Sequence, residues 1–452
     1  MIFKAYYDIP ERRGRVKKIW RKWLVILSAL ALSCLLSGCL SSATVEDMFT
    51  LPQPPIEYTE LAERINQLIA AGYEYASPTG GQNIQSVQMV DLNQDGQNEA
   101  VAFFRRLSDE KPLKIMVFSA ASDTYELVCT IESSGTSVDS VQYQDMNADG
   151  ILDLIVGWRI SSDLQSVAVY AVDEEPLVLL QSVYTRYSIQ ELDGDGMPSL
   201  LLLRSDAEGV SAAEFYGWRG DAMTMVHRSV LSMTMVELSS GSVVSGMLEK
   251  DRPAVFVTGV NELGMAVTDI LVCSDNGTLV NAAVDRSTGV PAIVYPYRQL
   301  QPQDINGDGI IEIPAPAVQS EPGKQSDGLV DWLQCSIDGD VDRVCTTYHC
   351  ISSGWYLMIP EEWQDKVTTV AVDSTINEAQ VQFRMENEPV LAVYAITGEN
   401  RENRAMRGDR VVLRRQTALV YAGELLEGAK KWEYTEEQLR SDFRLIVLSW
   451  RS

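Results

Sequence analysis

Four near copies of one acidic nine-residue loop, an apolar run after each copy, and a spacing of about fifty residues predict a mainly β fold. The expected architecture is a β-propeller of about five four-stranded blades, followed by a small α+β domain. The loops start at Asp91, Asp145, Glu191 and Asp304. At 452 residues, with 46% hydrophobic and 22% charged side chains, the chain can bury a sizeable core and is long enough for two domains.

The first forty residues form a separate block. Residues 12–23 are basic, 24–36 are apolar, and Leu36-Ser37-Gly38-Cys39 precedes a polar stretch. A charged region, an apolar region and a small-residue cleavage site make an export signal over residues 1–38. The apolar run, about 15 residues, is shorter than the ~20 that a bilayer-spanning helix needs. The expected mature chain starts at Cys39 and holds 29 basic against 61 acidic residues, a formal charge of −32 where the whole chain has −26. Such a surface repels nucleic acid and attracts cations, which suits an extracytoplasmic protein.

Residues 39–57 read as a flexible tether and residues 58–350 as the propeller with an N-terminal helix. Leu61, Ile65, Leu68 and Ile69 give Tyr58–Ala71 the spacing of an amphipathic helix, and Gly72 ends it. One plan then repeats: a short strand, the acidic loop, an apolar strand and two further strands. The loop starts lie 54, 46 and 113 residues apart. The long last gap predicts a unit whose loop is reduced to the turn at Gly246–Arg252, with Pro253–Thr258 as the strand after it.

The loops carry oxygen-bearing side chains at positions 1, 3 and 5, glycine at 6 and an acid at 9. Alternating oxygen ligands with a carbonyl from position 7 are what Ca2+ takes. An EF-hand would need an acid at position 12 and flanking helices. Position 12 is Ala102, Val156, Leu202 and Ala315 here, and the flanks read as strands.

With those strand flanks, the loops resemble the FG-GAP/VCBS repeats of integrin-α-like propellers, over roughly residues 84–348. That resemblance implies Ca2+ as cofactor and the ligands residue by residue. They are Asp91, Asn93, Asp95, the Gln97 carbonyl and Glu99; Asp145, Asn147, Asp149, the Ile151 carbonyl and Asp153; and Asp304, Asn306, Asp308, the Ile310 carbonyl and Glu312. The third copy has Glu191 at position 1 and Ser199 at position 9, so Glu191, Asp193 and Asp195 are expected to bind weakly. The Leu-Ser-Gly-Cys run resembles the lipobox of bacterial lipoproteins, which implies a diacylglyceryl anchor on Cys39.

The last segment, residues 351–452, changes character and reads as the α+β domain. Strands are expected over Trp355–Ile359, Val367–Val372, Gln380–Met385, Val390–Ile396 and Val411–Ala422. Gly398–Gly408 reads as a charged loop, and Leu439, Phe443, Ile446 and Val447 space a terminal helix from Thr435 to Ser449.

Five cysteines follow Cys39, an odd number at irregular spacing, and they make no disulfide framework. Cys129 and Cys273 sit in apolar strands. Cys345, His349 and Cys350 are close enough to suggest zinc, but strand alternation sends the two thiols to opposite faces. A disulfide from Cys335 to Cys345 or Cys350 is a further alternative. His227 and His349 are the only histidines, and no nucleophile elbow, zinc-protease or phosphate-loop motif occurs. These features predict a lipid-anchored, cell-surface Ca2+-binding propeller that serves as a binding or scaffolding module for a cell-surface glycan or protein. A surface polysaccharide hydrolase using propeller carboxylates is the alternative.

Overall fold

The computed structural model describes residues 58–121, 124–192, 194–284, 293–295, 300–317, 327–375 and 377–446. The export segment, Cys39 and the tether lie outside these residues. The chain divides into compact units at residues 1–64 and 65–452, and every sheet below belongs to the second. No helix of the described residues is long and apolar enough to cross a membrane.

The fold is mainly β, built from antiparallel sheets that follow one another along the chain; six are present among the described residues. The first contains Val87–Val90, Glu99–Arg105, Leu113–Ala121 and Thr124–Ser133, with Glu74–Tyr75 also on the Glu99–Arg105 strand. The second contains Ser137–Gln144, Asp153–Arg159, Gln165–Ala171 and Leu177–Tyr184, and the third Arg186–Gln190, Ser199–Ser205, Ser211–Arg219 and Ala222–Val230. In the fourth, Ser242–Glu249 turns directly into Arg252–Val260, which pairs with Ala266–Cys273. Asp251 sits at the tip of that turn with φ of 59°. This is the shortened unit expected from the 113-residue gap.

The fifth sheet runs past residue 350. After a bridge between Gln303 and Glu312, it orders Ile313–Pro316, Asp327–Cys335, Val341–Cys350, Trp355–Ile359 and Phe443–Leu445. Two strands of the C-terminal segment therefore complete a sheet begun by the last loop unit. The sixth sheet has the order Val367–Thr375, Glu378–Met385, Glu388–Thr397, Leu419–Leu425 and Val411–Arg415.

Alternation explains why the strand after each loop reads as a continuous apolar run. In Asp153–Arg159, Leu154, Val156 and Trp158 join the core shared with the first sheet, while Ile155 joins the core shared with the third. In Ser199–Ser205, Leu200 and Leu202 face the second sheet, and Leu201 and Leu203 join the core shared with the fourth. A strand buried on both faces has no polar side to show. Phe256 and Trp332 belong to the core shared by the fourth and fifth sheets, and Tyr348 packs on Phe383 between the fifth and sixth.

Several expectations change at the ends of elements. The first helix is Thr59–Ala70, stopped by Gly72 at φ of 90°. The charged loop at 398–408 contains a helical turn, Arg401–Ala405, whose Ala405 covers Ile396 and Val420. The terminal helix is only Glu436–Asp442, started by a capping box between Thr435 and Gln438. Phe443 leaves it in extended conformation and pairs with Leu357, because its ring is better buried against Trp355 and Tyr421 than along a helix face.

All five described cysteines are buried and none is in a disulfide. Cys345 lies in the core between the fourth and fifth sheets, whereas Cys350 lies between the fifth and sixth. His349 is 2% exposed and stacks on Tyr356 at 4.9 Å with 8° between the rings. Neither of its nitrogens has a hydrogen-bond partner. Burial pushes its pKa down to about 3, so the ring is neutral and serves as packing.

Candidate functional site

The three full loops share one internal scaffold. The carboxylate at position 1 accepts the N–H groups of positions 5 and 6 or their neighbours. Asp91 takes them from Asp95 and Gly96 at 3.1 and 2.9 Å, Asp145 from Ala148 and Gly150 at 2.7 and 3.0 Å, and Asp304 from Gly307 and Gly309 at 2.7 and 2.9 Å. Position 5 accepts the N–H of position 7: Gln97 on Asp95, Ile151 on Asp149 and Ile310 on Asp308, each at 2.8 Å. Short polar side chains that bond their own backbone in this way hold a tight loop without regular structure. Gly96, Gly150 and Gly309 supply the left-handed turn at position 6, with φ of 88°, 86° and 89°.

Position 9 opens the buried strand in the first two loops and immediately precedes Ile313–Pro316 in the last, and its acid is removed from solvent. Glu99 is 5% exposed, Asp153 1% and Glu312 0%. In each loop one of its oxygens accepts the N–H of position 2: Leu92 on Glu99 at 2.9 Å, Met146 on Asp153 at 2.8 Å and Ile305 on Glu312 at 2.9 Å. The other oxygen differs among the copies. Ser119 Oγ approaches Glu99 Oε1 at 3.3 Å, and Gln334 Nε2 donates to Glu312 Oε1 at 3.0 Å and to Asp308 Oδ2 at 2.9 Å. Asp153 Oδ1 has no partner.

A buried, unpartnered carboxylate oxygen is expensive unless something positive faces it. Burial pushes the Asp153 carboxyl up to about 7, against the Met146 N–H, and the Asp149 and Asp145 carboxylates raise it further. Burial likewise raises Glu312 above the usual carboxylate range. A divalent cation would remove this penalty by taking Asp153 Oδ1 as a ligand, and the oxygen donors around it suit a hard ion. In the last loop, carboxylate oxygens of Asp304, Asp308 and Glu312 all lie within 4.8 Å of one another. The residues present therefore fit the group that the spacing suggests.

Asp153→Asn follows directly from this geometry. A group whose folded pKa lies above its unfolded value contributes stability at low pH and loses it as pH rises, here between about 4 and 7. At pH 8 without divalent ions the ionised carboxylate is a burden, whereas an amide keeps the Met146 bond and turns a donor toward Asp145 and Asp149. The variant is expected to be more stable than the parent by about 2 kcal/mol in urea titrations at pH 8 with chelator. A less stable variant would contradict the reading of Oδ1.

The third copy is different in kind. Glu191 bonds the N–H of Gly194 at 2.6 Å and Asp195 that of Met197 at 2.7 Å, while Asp193 lies outside the described residues. Arg219, at the end of Ser211–Arg219, places its guanidinium 3.3 Å from Asp195. Among the described residues, this loop meets a side-chain cation where the others meet acids and amides, and Ser199 at position 9 brings no buried charge.

Two parts of the scaffold escaped the sequence reading. Position 2 is a buried apolar anchor in every copy, Leu92, Met146, Leu192 and Ile305. Four apolar residues at one position of an otherwise acidic loop are the signal that would have found it. Position 4 is also left-handed, in Gln94, Ala148, Gly194 and Gly307, with φ of 58°, 60°, 72° and 86°. Only the two glycines there announce it.

No family model and no curated protein matches the chain. Among solved structures, an exo-β-1,3-galactanase from Phanerochaete chrysosporium with β-1,3-galactotriose matches at 8% identity and a TM-score of 0.26, over 75% of this chain and 82% of that one. A likeness at that score assigns neither fold nor activity to this chain.

Proposed function

We propose that this protein is a Ca2+-stabilised β-propeller, anchored by a lipid on Cys39 to the outer side of a cell membrane, that works as a binding or scaffolding module. Asp153 carries the reading: a 1%-exposed carboxylate with one oxygen satisfied by backbone and the other, Oδ1, without a partner. The same loop scaffold in three copies, and the packing of each sheet on the next in chain order, support a repeat architecture of propeller type.

The ions are structural in this proposal. A cation at position 9 fastens the start of a buried strand to the loop before it, so the exposed ends of the sheets keep one geometry. When bound, Ca2+ supplies positive charge and oxygen coordination. The chain's own residues do the rest: Asp91, Asp145 and Asp304 gather the loop N–H groups, the position-2 residue holds the buried acid, and the glycine at position 6 lets the backbone turn. The lipobox and the acidic composition support a place outside the cytoplasm.

Equilibrium dialysis against radioactive calcium tests the cation reading. Three ions per chain are expected, falling to two in Asp304→Ala. A chain that retains no calcium at millimolar concentrations would sink the proposal.

A further inference from the structure

The first two loops are not independent of each other. Leu152, at position 8 of the second loop, donates its N–H to the Leu92 carbonyl, position 2 of the first loop, at 2.7 Å. Gln94, at position 4 of the first loop, donates its side-chain amide to the Gly150 carbonyl, position 6 of the second, at 3.1 Å. Leu92 is thus a relay: its N–H holds Glu99 Oε2 at 2.9 Å, and its carbonyl holds the residue beside Asp153.

Elsewhere the relay is missing. In the third loop position 8 is Pro198, which has no N–H to donate. The last loop does make the lateral bond, Ile311 N–H to the Met247 carbonyl at 2.8 Å, but its neighbour is the unit whose loop is reduced to a turn. Of the three full loops, one adjacent pair is wired together and one stands alone.

We infer that the loops at Asp91 and Asp145 take up divalent cations cooperatively through Leu92 and Gln94, whereas the loop at Asp304 binds independently. The inference rests on the cation reading proposed above and adds its regulation. A cation on the second loop fixes Gly150, Ile151 and Leu152 through the Ile151 carbonyl and Asp153. Those residues then hold Leu92 and Gln94 in place, so the first loop has less disorder to lose when its own cation arrives. Linkage makes the effect mutual. Because the two loops respond together, the first two sheets tighten over a narrower range of calcium concentration than single sites would allow.

Calorimetric titration of the full chain in non-ionic detergent, with calcium alone as the probe, tests the coupling. In Asp304→Ala, the remaining pair is expected to titrate with a Hill coefficient well above 1. Asp149→Ala, which disables the second loop, is expected to weaken the first by roughly tenfold, within the usual range of coupling between sites. Gln94→Ala changes an exposed side chain that is not a ligand, and it is expected to lower the Hill coefficient while the number of ions is kept. Three independent sites in the parent chain, or a first loop unchanged within twofold in Asp149→Ala, would overturn the coupling and leave the cation reading intact. A parent chain that gives neither heat nor a rise in melting temperature would remove both.

Discussion

Removal of calcium is expected to lower the melting temperature by more than about 10 °C. An ion that binds only the folded chain stabilises it by about 2.7 kcal/mol when its concentration is a hundred times its dissociation constant. Three such sites give about 8 kcal/mol, a large share of the stability of any domain. The effect has a defined origin. Without an ion, Asp153 Oδ1 is buried without a partner, and Glu312 relies on the Gln334 amide alone for its second oxygen. Scanning calorimetry in millimolar calcium and in EGTA gives the comparison. Melting temperatures within about 1 °C of each other would contradict the account. Magnesium should substitute poorly, because it demands a smaller, near-octahedral shell.

The second large effect concerns packing. Trp332→Ala is expected to destabilise the chain by about 4 kcal/mol. The indole is fully buried between the fourth and fifth sheets, its Nε1–H donates to Thr347 Oγ1 at 2.7 Å, and its ring lies 5.7 Å from that of His349. Truncation leaves a cavity the size of an indole in a layer that two sheets share, and it strips Thr347 of its donor. Urea denaturation followed by tyrosine and tryptophan fluorescence measures the change. A loss below about 1 kcal/mol would mean that the two sheets do not depend on this layer.

The loops were legible because their chemistry is written in consecutive residues. Asp304, Asn306, Asp308, Gly309 and Glu312 announce a tight turn lined with oxygens, and the structure brings the carboxylates of Asp304, Asp308 and Glu312 together. The strands after the loops were legible for the same reason, since burial on both faces demands an unbroken apolar run such as Leu200–Leu203. What stayed hidden depends on residues far apart in sequence. Nothing local marks Arg219 as the cation beside Asp195, or Gln94 as a donor to Gly150. Phe443 carries helical spacing from Leu439 yet serves as a strand residue, because Trp355 and Leu357 offer it a sheet edge. Local pattern fixes an element's character; its end is decided by what the fold places beside it.

The second loop is where calcium binding is tested most directly, by a crystal structure of the calcium-soaked protein. The expected result is an anomalous peak about 2.3–2.6 Å from Asp153 Oδ1, with Asp145, Asn147, Asp149 and the Ile151 carbonyl completing the shell. A well-ordered loop with water or no density beside Asp153 Oδ1, at a calcium concentration in the millimolar range, would contradict it.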